Sequence, residues 1–147
     1  MSEQDFQGKV CVITGGTQGV GEATARHFAS NGAAGIVICG RNSARGASVR
    51  NSLEAAGAPA VFVQARLESE SECESVIAAA DRQFGRVDVL VNAGGTTKRG
   101  SIVDSTAKDI DEVFAINVRG PMVLMREAIA LMRRNGNGGS IVNVSSV

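Results

Sequence analysis

A short apolar run followed by a cluster of glycines constrains this sequence more than any other stretch. The run from Val10 to Ile13 is typical of a strand buried on both faces. A helical pattern starts at Glu22 and continues to Ser30. Glycines let a backbone turn sharply and approach a ligand closely, and a helix N-terminus offers free N–H groups to an anion. The segment therefore predicts a strand, a phosphate-binding loop and a helix, with the loop glycines at Gly15, Gly16, Gly19 and Gly21.

The glycine spacing excludes two common nucleotide loops. A P-loop needs a lysine and a hydroxyl residue after its second glycine, but Glu22 and Ala23 follow Gly21. The pattern Gly-x-Gly-x-x-Gly also fails, because Thr24 occupies the place of its third glycine. The spacing that remains is Thr14-Gly15-x-x-x-Gly19-x-Gly21. A glycine-rich turn without a ligand is the alternative.

Strand-like and helix-like patterns alternate along the rest of the chain. This alternation predicts an α/β fold with a parallel sheet. The predicted strands are Val10–Thr14, Gly35–Cys39, Ala60–Gln64, Val87–Val91 and Ser140–Val144. Three apolar stripes predict the core-facing sides of the helices. They comprise Val20, Ala23, Thr24, His27 and Phe28; Cys73, Val76, Ile77, Ala80 and Phe84; and Ile110, Val113, Phe114, Asn117, Val118, Pro121, Met122 and Met125.

Length and charge narrow the class of protein. A chain of 147 residues predicts one domain, residues 1–147, and a net charge of zero argues against nucleic acid and anionic membranes as partners. No apolar run approaches the roughly 20 residues of a membrane helix, and the polar start is unlike a leader peptide. Three cysteines without metal-ligand spacing predict buried thiols in the cytoplasm. We expect no metal site and a structural role for His27, the only histidine.

Four segments together resemble the short-chain dehydrogenase/reductase family, from about Gly8 to Val147. They are the glycine loop, Asn92-Ala93-Gly94-Gly95 after the fourth strand, Phe114–Gly120 and Gly139–Val147. The resemblance implies a Rossmann-like doubly wound parallel sheet of order 3-2-1-4-5, incomplete at its C-terminal side, with an open edge at the fifth strand. It also implies hydride transfer between a nicotinamide cofactor and a small-molecule carbonyl or alcohol. The implied cofactor-binding residues are Gly15, Thr17, Gln18, Gly19, Val20, Gly21, Arg41, Asn42, Leu67, Asn92, Ala93 and Gly94.

The end of the second strand bears on the choice of cofactor. An acid there binds the ribose 2′-hydroxyl of NAD, whereas an arginine accommodates the 2′-phosphate of NADP. This chain has no acid at that place and carries Arg41 beside it, so we predict NADP(H), with NAD(H) as the alternative. Some NADP-preferring relatives also carry a basic residue where this chain has Gln18. Arg41 as a solvated loop charge is the competing interpretation.

Two further positions concern the cofactor and the sheet. The family usually has an adenine-contacting aspartate after the third strand, but Arg66 stands there and only donates hydrogen bonds. Either Leu67 and the backbone make the contact, or Arg66 stacks on the ring. Asn92 is expected to bond neighbouring strands, since buried amides need partners.

The implied catalytic residues are Asn117 and Ser146. Asn117 interrupts an apolar stripe, and the matching family segment carries an asparagine that holds a water in a proton relay. An amide that kinks the helix beside Pro121 is the alternative. Ser146 would bond the carbonyl or hydroxyl of the substrate. The family's Tyr-x-x-x-Lys acid/base motif is missing, because the chain contains no tyrosine. We therefore expect a fragment that is inactive alone.

Two competing functions remain at this point. The first is a non-catalytic dinucleotide-binding module or pseudoenzyme, which the missing tyrosine favours. The second is a methyltransferase-like domain, which lacks the expected ribose-binding acid after the second strand. Homo-oligomers built on the long helix after Thr106 are also expected. Substrate identity lies beyond the sequence.

Overall fold

A parallel sheet of five strands between two layers of helices forms the fold of residues 5–146, which the computed structural model describes. The strand order is β3-β2-β1-β4-β5, which confirms the order implied by the resemblance. The strands are β1 (Val10–Thr14), β2 (Gly35–Gly40), β3 (Ala60–Gln64), β4 (Val89–Asn92) and β5 (Ser140–Asn143). The α-helices are α1 (Gly19–Ser30), α2 (Ser43–Ala55), α3 (Glu70–Phe84), α4 (Ala107–Phe114) and α5 (Gly120–Asn135). A 3-10 turn (Ile102–Asp104) precedes α4, and a π-helical turn (Ala115–Arg119) joins α4 to α5.

β1 lies at the centre of the sheet and is buried along its whole length. It pairs with β2 on one side and with β4 on the other. Cys11 and Ile13 belong to the apolar cluster under α1 and α2, whereas Val12 belongs to the cluster under α3 and α5. Because successive strand residues face opposite sides, a strand covered on both faces must be apolar throughout. The first apolar run is therefore the buried strand that the sequence predicts.

The connections place a cleft at the carboxyl ends of β1 and β4. The chain passes outward from β1 to β2 and β3, and then returns to place β4 on the other side of β1. Loops that follow β1 and β4 consequently leave the sheet in opposite directions, which opens a crevice between them. The backbone N–H of Gly94 donates to the Thr14 hydroxyl at 3.1 Å and joins the two strand ends at the base of this crevice.

Helix α1 starts earlier than the sequence predicts, and its predicted stripe is wrong except at Phe28. The helix begins at Gly19, so its buried side consists of Gly21, Ala25, Phe28 and Ala29. The glycine loop fixes this orientation by bringing Gly21 against the backbone of Gly15. His27 is exposed, and its ring lies edge-on to Phe6 with centroids 6.3 Å apart. The stripe predicted for α3 is confirmed, with Cys73, Val76, Ile77 and Ala80 buried.

The stripe predicted for the long helical segment is also wrong, because its large side chains face solvent. Phe114 and Met122 are 61% and 60% exposed. The core instead receives a different face of the segment, which includes Ala115, Val123 and Leu124. A periodic pattern locates an apolar face but does not say what covers it, and this segment has two such faces. The exposed one is called the α4–α5 apolar face below and comprises Ile110, Phe114, Val118, Met122 and Ile129.

Asp88 is a buried carboxylate at the opposite end of the sheet from the cleft. Its Oδ2 accepts the Val10 N–H at 2.8 Å, and the Arg86 guanidinium binds both of its oxygens at 2.6 and 2.9 Å. The Asn137 side chain donates to Oδ1 at 3.2 Å. Asp88 thus links β1, the start of β4 and the turn before β5. The fourth strand begins after it, at Val89 rather than at the predicted Val87.

The three cysteines are buried free thiols. Burial raises the pKa of Cys11 and Cys39 to about 12 and that of Cys73 to about 11. These thiols stay protonated at neutral pH and are therefore poor nucleophiles. They act as small apolar side chains of the core, as the sequence predicts.

β5 forms one edge of the described sheet, and most of its residues are exposed. Within residues 5–146, the structure contains no helix long and apolar enough to span a membrane. The same residues contain no group of three histidine, cysteine or acidic side chains that could hold a metal ion.

Candidate cofactor-binding site

A cavity of about 300 Å³ opens at the carboxyl ends of the strands. Ten of the twelve residues predicted to bind the cofactor line it: Gly15, Thr17, Gln18, Gly19, Val20, Gly21, Arg41, Leu67, Ala93 and Gly94. They come from four separate connections, which follow β1, β2, β3 and β4. The sheet topology brings these connections together, because parallel strands present all their carboxyl ends at one edge.

The glycine loop is shaped by contacts that no side chain could tolerate. Gly15 has a positive φ of +65°, and a Cβ placed on it would lie 2.8 Å from the Gly94 Cα. A Cβ on Gly21 would lie 2.3 Å from the Gly15 carbonyl oxygen. Both distances are well below van der Waals contact, so the loop needs glycine at these two positions. The loop consequently presents bare backbone to the cavity.

Helix α1 begins without a side-chain cap, unlike the other helices that start from a loop. Gln18 occupies its N-cap position and makes no side-chain bond to the first turn. In contrast, α2, α3 and α4 are capped by Asn42, Ser69 and Thr106. The first N–H groups of a helix need partners and attract anions. The uncapped start of α1 at the cavity is therefore suited to a phosphate group.

The walls of the cavity are formed by close contacts between the strand ends and the connections that follow them. A Cβ on Gly94 would lie 2.7 Å from the Leu67 side chain, so Leu67 packs directly against this glycine. Thr17 is buried, and a Cβ on Gly40 would lie 2.8 Å from its hydroxyl. The connections after β1, β2, β3 and β4 therefore touch one another, which makes the cavity narrow.

The two residues predicted after the second strand have different surroundings. Arg41 is exposed and lines the cavity, and its guanidinium takes part in none of the ion pairs found between residues 5 and 146. Asn42 does not line the cavity. Its side chain instead caps α2 by accepting the Arg45 N–H at 2.9 Å. The structure thus gives Asn42 a contact that orients the connection carrying Arg41.

The Arg66 side chain pairs with an acidic neighbour, which argues against a role in adenine binding. Its guanidinium binds Glu72 Oε1 at 2.7 and 3.1 Å, and its backbone N–H donates to Oε2 of the same carboxylate at 2.6 Å. The paired guanidinium holds the pKa of Glu72 below its ordinary value. Arg66 does not line the cavity, whereas Leu67 does. This favours the interpretation in which Leu67 and the backbone contact the ring.

A second, open groove of about 1160 Å³ adjoins the cavity and contains the predicted catalytic residues. It is lined by Asn117 and Ser146, together with Asn92. Ala93, Gly94, Gly95, Thr96 and Val144 line both spaces. The fold therefore brings Ser146 from the segment after β5 and Asn117 from the π-helical turn to one groove beside the glycine-lined cavity.

Asn117 is exposed, which corrects the sequence-based expectation of a buried amide. Its side chain is nevertheless bonded through both amide atoms to one residue of the loop after β4. The Thr96 N–H donates to Asn117 Oδ1 at 2.8 Å, and Asn117 Nδ2 donates to the Thr96 carbonyl at 2.8 Å. The π-helical turn places this side chain over the loop. Asn117 thus fixes the loop that forms part of both walls.

Asn92 bonds the neighbouring strand, as the sequence predicts. Its Nδ2 donates to Asn143 Oδ1 at 2.8 Å, and the two residues are register partners of β4 and β5. Its Oδ1 is buried and lacks a hydrogen-bond partner among the described residues. Asn92 lines the open groove and not the narrow cavity.

Several residues that line the cavity were not predicted from the sequence. Three of them, Gly40, Ala65 and Val144, end a strand or directly follow one, so the ends of the predicted strands could have located them. Ile116 comes from the π-helical turn and lies in the segment Phe114–Gly120, of which only Asn117 was singled out from the sequence. The other unpredicted lining residues are Cys39, Glu68, Gly95 and Thr96.

The sequence matches known proteins over nearly its whole length. The model of the short chain dehydrogenase family matches residues 9–147. An uncharacterized oxidoreductase of Methylorubrum extorquens is 37% identical over 142 residues, covering 97% of this chain and 56% of that protein. The hydroxynaphthalene reductase of Aspergillus fumigatus is 33% identical over 142 residues, covering 97% of this chain and 51% of that protein. The chain therefore spans about half the length of the curated relatives it matches.

The fold matches a solved structure closely. L-sorbose reductase from Gluconobacter frateurii, whose crystal structure contains NADPH and L-sorbose, superposes with a TM-score of 0.93 at 30% sequence identity. The match covers 100% of this chain and 55% of that one. The strand order, the glycine loop and the family match agree, and the chain belongs to the short-chain dehydrogenase family.

Proposed function

We propose that this chain forms the cofactor-binding part of an NADP(H)-dependent oxidoreductase that acts on a small carbonyl or alcohol. The observation that carries the proposal is the cavity itself, in which a glycine-lined loop and an uncapped helix start face an unpaired arginine. That set of donors fits a dinucleotide, since backbone N–H groups suit the pyrophosphate and a guanidinium suits a 2′-phosphate. A bound nicotinamide would supply the hydride chemistry.

Each group of residues has a distinct task in this proposal. Gly15, Gly19 and Gly21 let the backbone approach the pyrophosphate, and Leu67 packs beside the adenine. Ser146 donates a hydrogen bond to the carbonyl oxygen of the substrate and stabilises its developing negative charge. Asn117 holds the loop at Thr96 through both amide atoms, and its remaining amide hydrogen can bond a proton-relay water.

The tyrosine that donates the proton in the family's acid/base motif is not among these 147 residues, which contain no tyrosine. We expect the chain alone to bind NADPH and to reduce carbonyl compounds at no useful rate, since catalytic groups act as a unit. The absence of tyrosine also favours an alternative, which is a dinucleotide-binding module without catalysis. Reduction of a carbonyl panel by a longer protein carrying this chain would argue against the module.

The three buried thiols support a reducing compartment such as the cytoplasm.

Reversing the charge at Arg41 tests the cofactor preference. We expect Arg41→Asp to weaken NADPH binding by about tenfold or more, because a carboxylate repels the 2′-phosphate that a guanidinium attracts. NADH lacks this phosphate, so its affinity should change little. Fluorescence titration of the purified chain with each nucleotide measures both constants. Equal weakening of the two nucleotides would refute the assignment of Arg41 to the 2′-phosphate.

We also propose that two copies of the chain pair through the α4–α5 apolar face. Its five side chains are each between 38% and 61% exposed, which is unusual for so many large apolar residues on one helical surface. A groove of about 960 Å³ runs along the same surface. Burying this face against a second copy would remove it from water, and symmetric pairing of one patch is the commonest form of oligomer.

A charged side chain in the centre of this face tests the pairing. We expect Met122→Glu to convert a dimer into a monomer, because pairing would then bury an unpaired carboxylate. Sedimentation velocity or light scattering on the wild type and the variant measures the mass. Ala47→Glu adds the same charge to an exposed position of α2 and should leave the mass unchanged. A monomeric wild type would rule out the pairing.

A further inference from the structure

Arg45 occupies an unfavourable position in its own helix. It lies in the first turn of α2, directly after the cap that its backbone N–H forms with Asn42. The N-terminus of a helix carries a partial positive charge, so a cation in the first turn is repelled. The first turns of α3 and α4 contain acids, whereas that of α2 contains none. The start of α2 therefore concentrates positive charge without a carboxylate to balance it.

The Arg45 side chain reaches away from its helix to the glycine loop. Its Nη1 donates a hydrogen bond to Oε1 of Gln18, which lines the cavity, while Arg45 itself is not one of the lining residues. Arg45 takes part in none of the ion pairs of residues 5–146, and the same is true of Arg41. Three exposed arginines on other helices, Arg26, Arg126 and Arg134, each bind a carboxylate instead. The pairing of Arg45 with a neutral amide leaves its charge available to an anion.

We propose that Arg45 is a second specificity-determining cation for the 2′-phosphate, held at the glycine loop by Gln18. The inference rests on the proposed function, since it assigns a further residue to the same cofactor site. Gln18 is a positioning residue here: its amide oxygen accepts one N–H of the guanidinium and leaves the remaining donors for the phosphate. Arg41 and Arg45 then approach the phosphate from the connection after β2 and from the first turn of α2. The neutral Gln18 thereby brings a positive charge to the loop although it carries none.

The experiment compares nucleotides that differ only in the phosphate. Adenosine 2′,5′-bisphosphate and AMP are titrated into the wild type, Arg45→Gln and Arg82→Gln, followed by NADPH and NADH. We expect Arg45→Gln to weaken the bisphosphate and NADPH about tenfold while AMP and NADH change less than twofold, because one charge-assisted contact is lost. Arg82→Gln removes an exposed charge from the last turn of α3, far from the cavity, and should change none of the four constants.

Two further measurements sharpen the result. The difference between the wild type and Arg45→Gln should shrink at high salt, because exposed charges are screened. Gln18→Glu should also reduce the preference for NADPH, since a carboxylate at that place pairs with Arg45 and repels the phosphate. Circular dichroism verifies that each variant is folded.

The outcomes separate this inference from the proposed function. A wild type that prefers NADPH, together with an Arg45→Gln variant of unchanged preference, overturns the role of Arg45 and leaves the proposed function standing. Equal weakening of all four nucleotides in Arg45→Gln also overturns it, since the residue would then act on the loop as a whole. A folded wild type that binds no nucleotide, or that binds NADH in preference, overturns both.

Discussion

Replacing Gly15 by alanine should reduce the affinity for NADPH about a hundredfold. The new Cβ would lie 2.8 Å from the Gly94 Cα and 2.9 Å from its nitrogen, so the loop and the end of β4 must move apart. Both contacts are with backbone, which cannot rotate away as a side chain can. The displaced loop would lose one or two hydrogen bonds to the pyrophosphate, and bonds to charged groups are worth roughly 1.5–3 kcal/mol each. Fluorescence titration with NADPH measures the change.

Gly136→Ala is the matched control for this prediction. Gly136 has the same φ of +65° as Gly15, but a Cβ on it would meet no atom within 4 Å. Both substitutions therefore carry the same cost of placing a side chain in the left-handed region, about 1–2 kcal/mol. Only Gly15→Ala adds the collision at the cavity. If the two variants lose affinity equally, the loss arises from backbone strain and the close approach of Gly15 to Gly94 does not matter for binding.

Replacing Asp88 by alanine should destabilise the fold by about 2–4 kcal/mol. The substitution leaves the buried Val10 N–H without an acceptor, which costs roughly 1–3 kcal/mol, and it removes the bonds from Arg86 and Asn137. Arg86 is partly exposed, so its freed charge can be hydrated. Urea unfolding of the wild type and the variant measures the difference in the free energy of unfolding.

Asp81→Ala provides the comparison for Asp88→Ala. Asp81 binds Arg134 in the same two-pronged manner, at 2.6 and 3.1 Å, but its side chain is 36% exposed against 4% for Asp88. Exposed ion pairs contribute little because water screens them. A loss of stability as large for Asp81→Ala as for Asp88→Ala would show that burial of the carboxylate is not the cause.

The contribution of Asp88 should also depend on pH. Burial alone would raise its pKa, but the Arg86 guanidinium and the Val10 N–H outweigh burial and hold the pKa below its ordinary value. The folded state then binds fewer protons than the unfolded state near the ordinary carboxyl pKa of about 4. Stability from this group is present above that pH and is lost below it. The difference in unfolding free energy between the wild type and Asp88→Ala should therefore decrease as the pH falls below about 4.

Sequence patterns were sufficient for the strands and the loop because both depend on local rules. A strand buried on both faces must be apolar throughout, so β1 is visible in Val10–Thr14 without any knowledge of its neighbours. A turn that passes close to other backbone excludes side chains, so the glycine spacing located the loop. Ten of twelve predicted cofactor residues line one cavity for the same reason, since the loop and strand ends follow directly from these elements.

In contrast, only the tertiary structure decided which face of each helix is buried. The long segment has two apolar faces of the same period, and packing on the sheet selected the one with Ala115 and Leu124 over the one with Phe114 and Met122. The amide of Asn117 was expected in the core and instead binds a loop that sequence reasoning had not connected with it. Hydrogen bonds between segments distant in the chain depend on how helices and strands pack against one another. The periodicity of apolar residues along the sequence carries no information about that packing.

The sequence by itself determined the family, the strand order and the place of the nucleotide loop. The strands and the loop follow from burial and backbone geometry, whereas the strand order followed from the resemblance of four segments to one family. The tertiary structure alone decided which partners the charged side chains find, such as the Gln18 amide for Arg45 and the Val10 N–H for Asp88. Each pair joins residues that are far apart in the chain. They meet because a parallel sheet gathers the starts of its strands at one end and the carboxyl ends at the other.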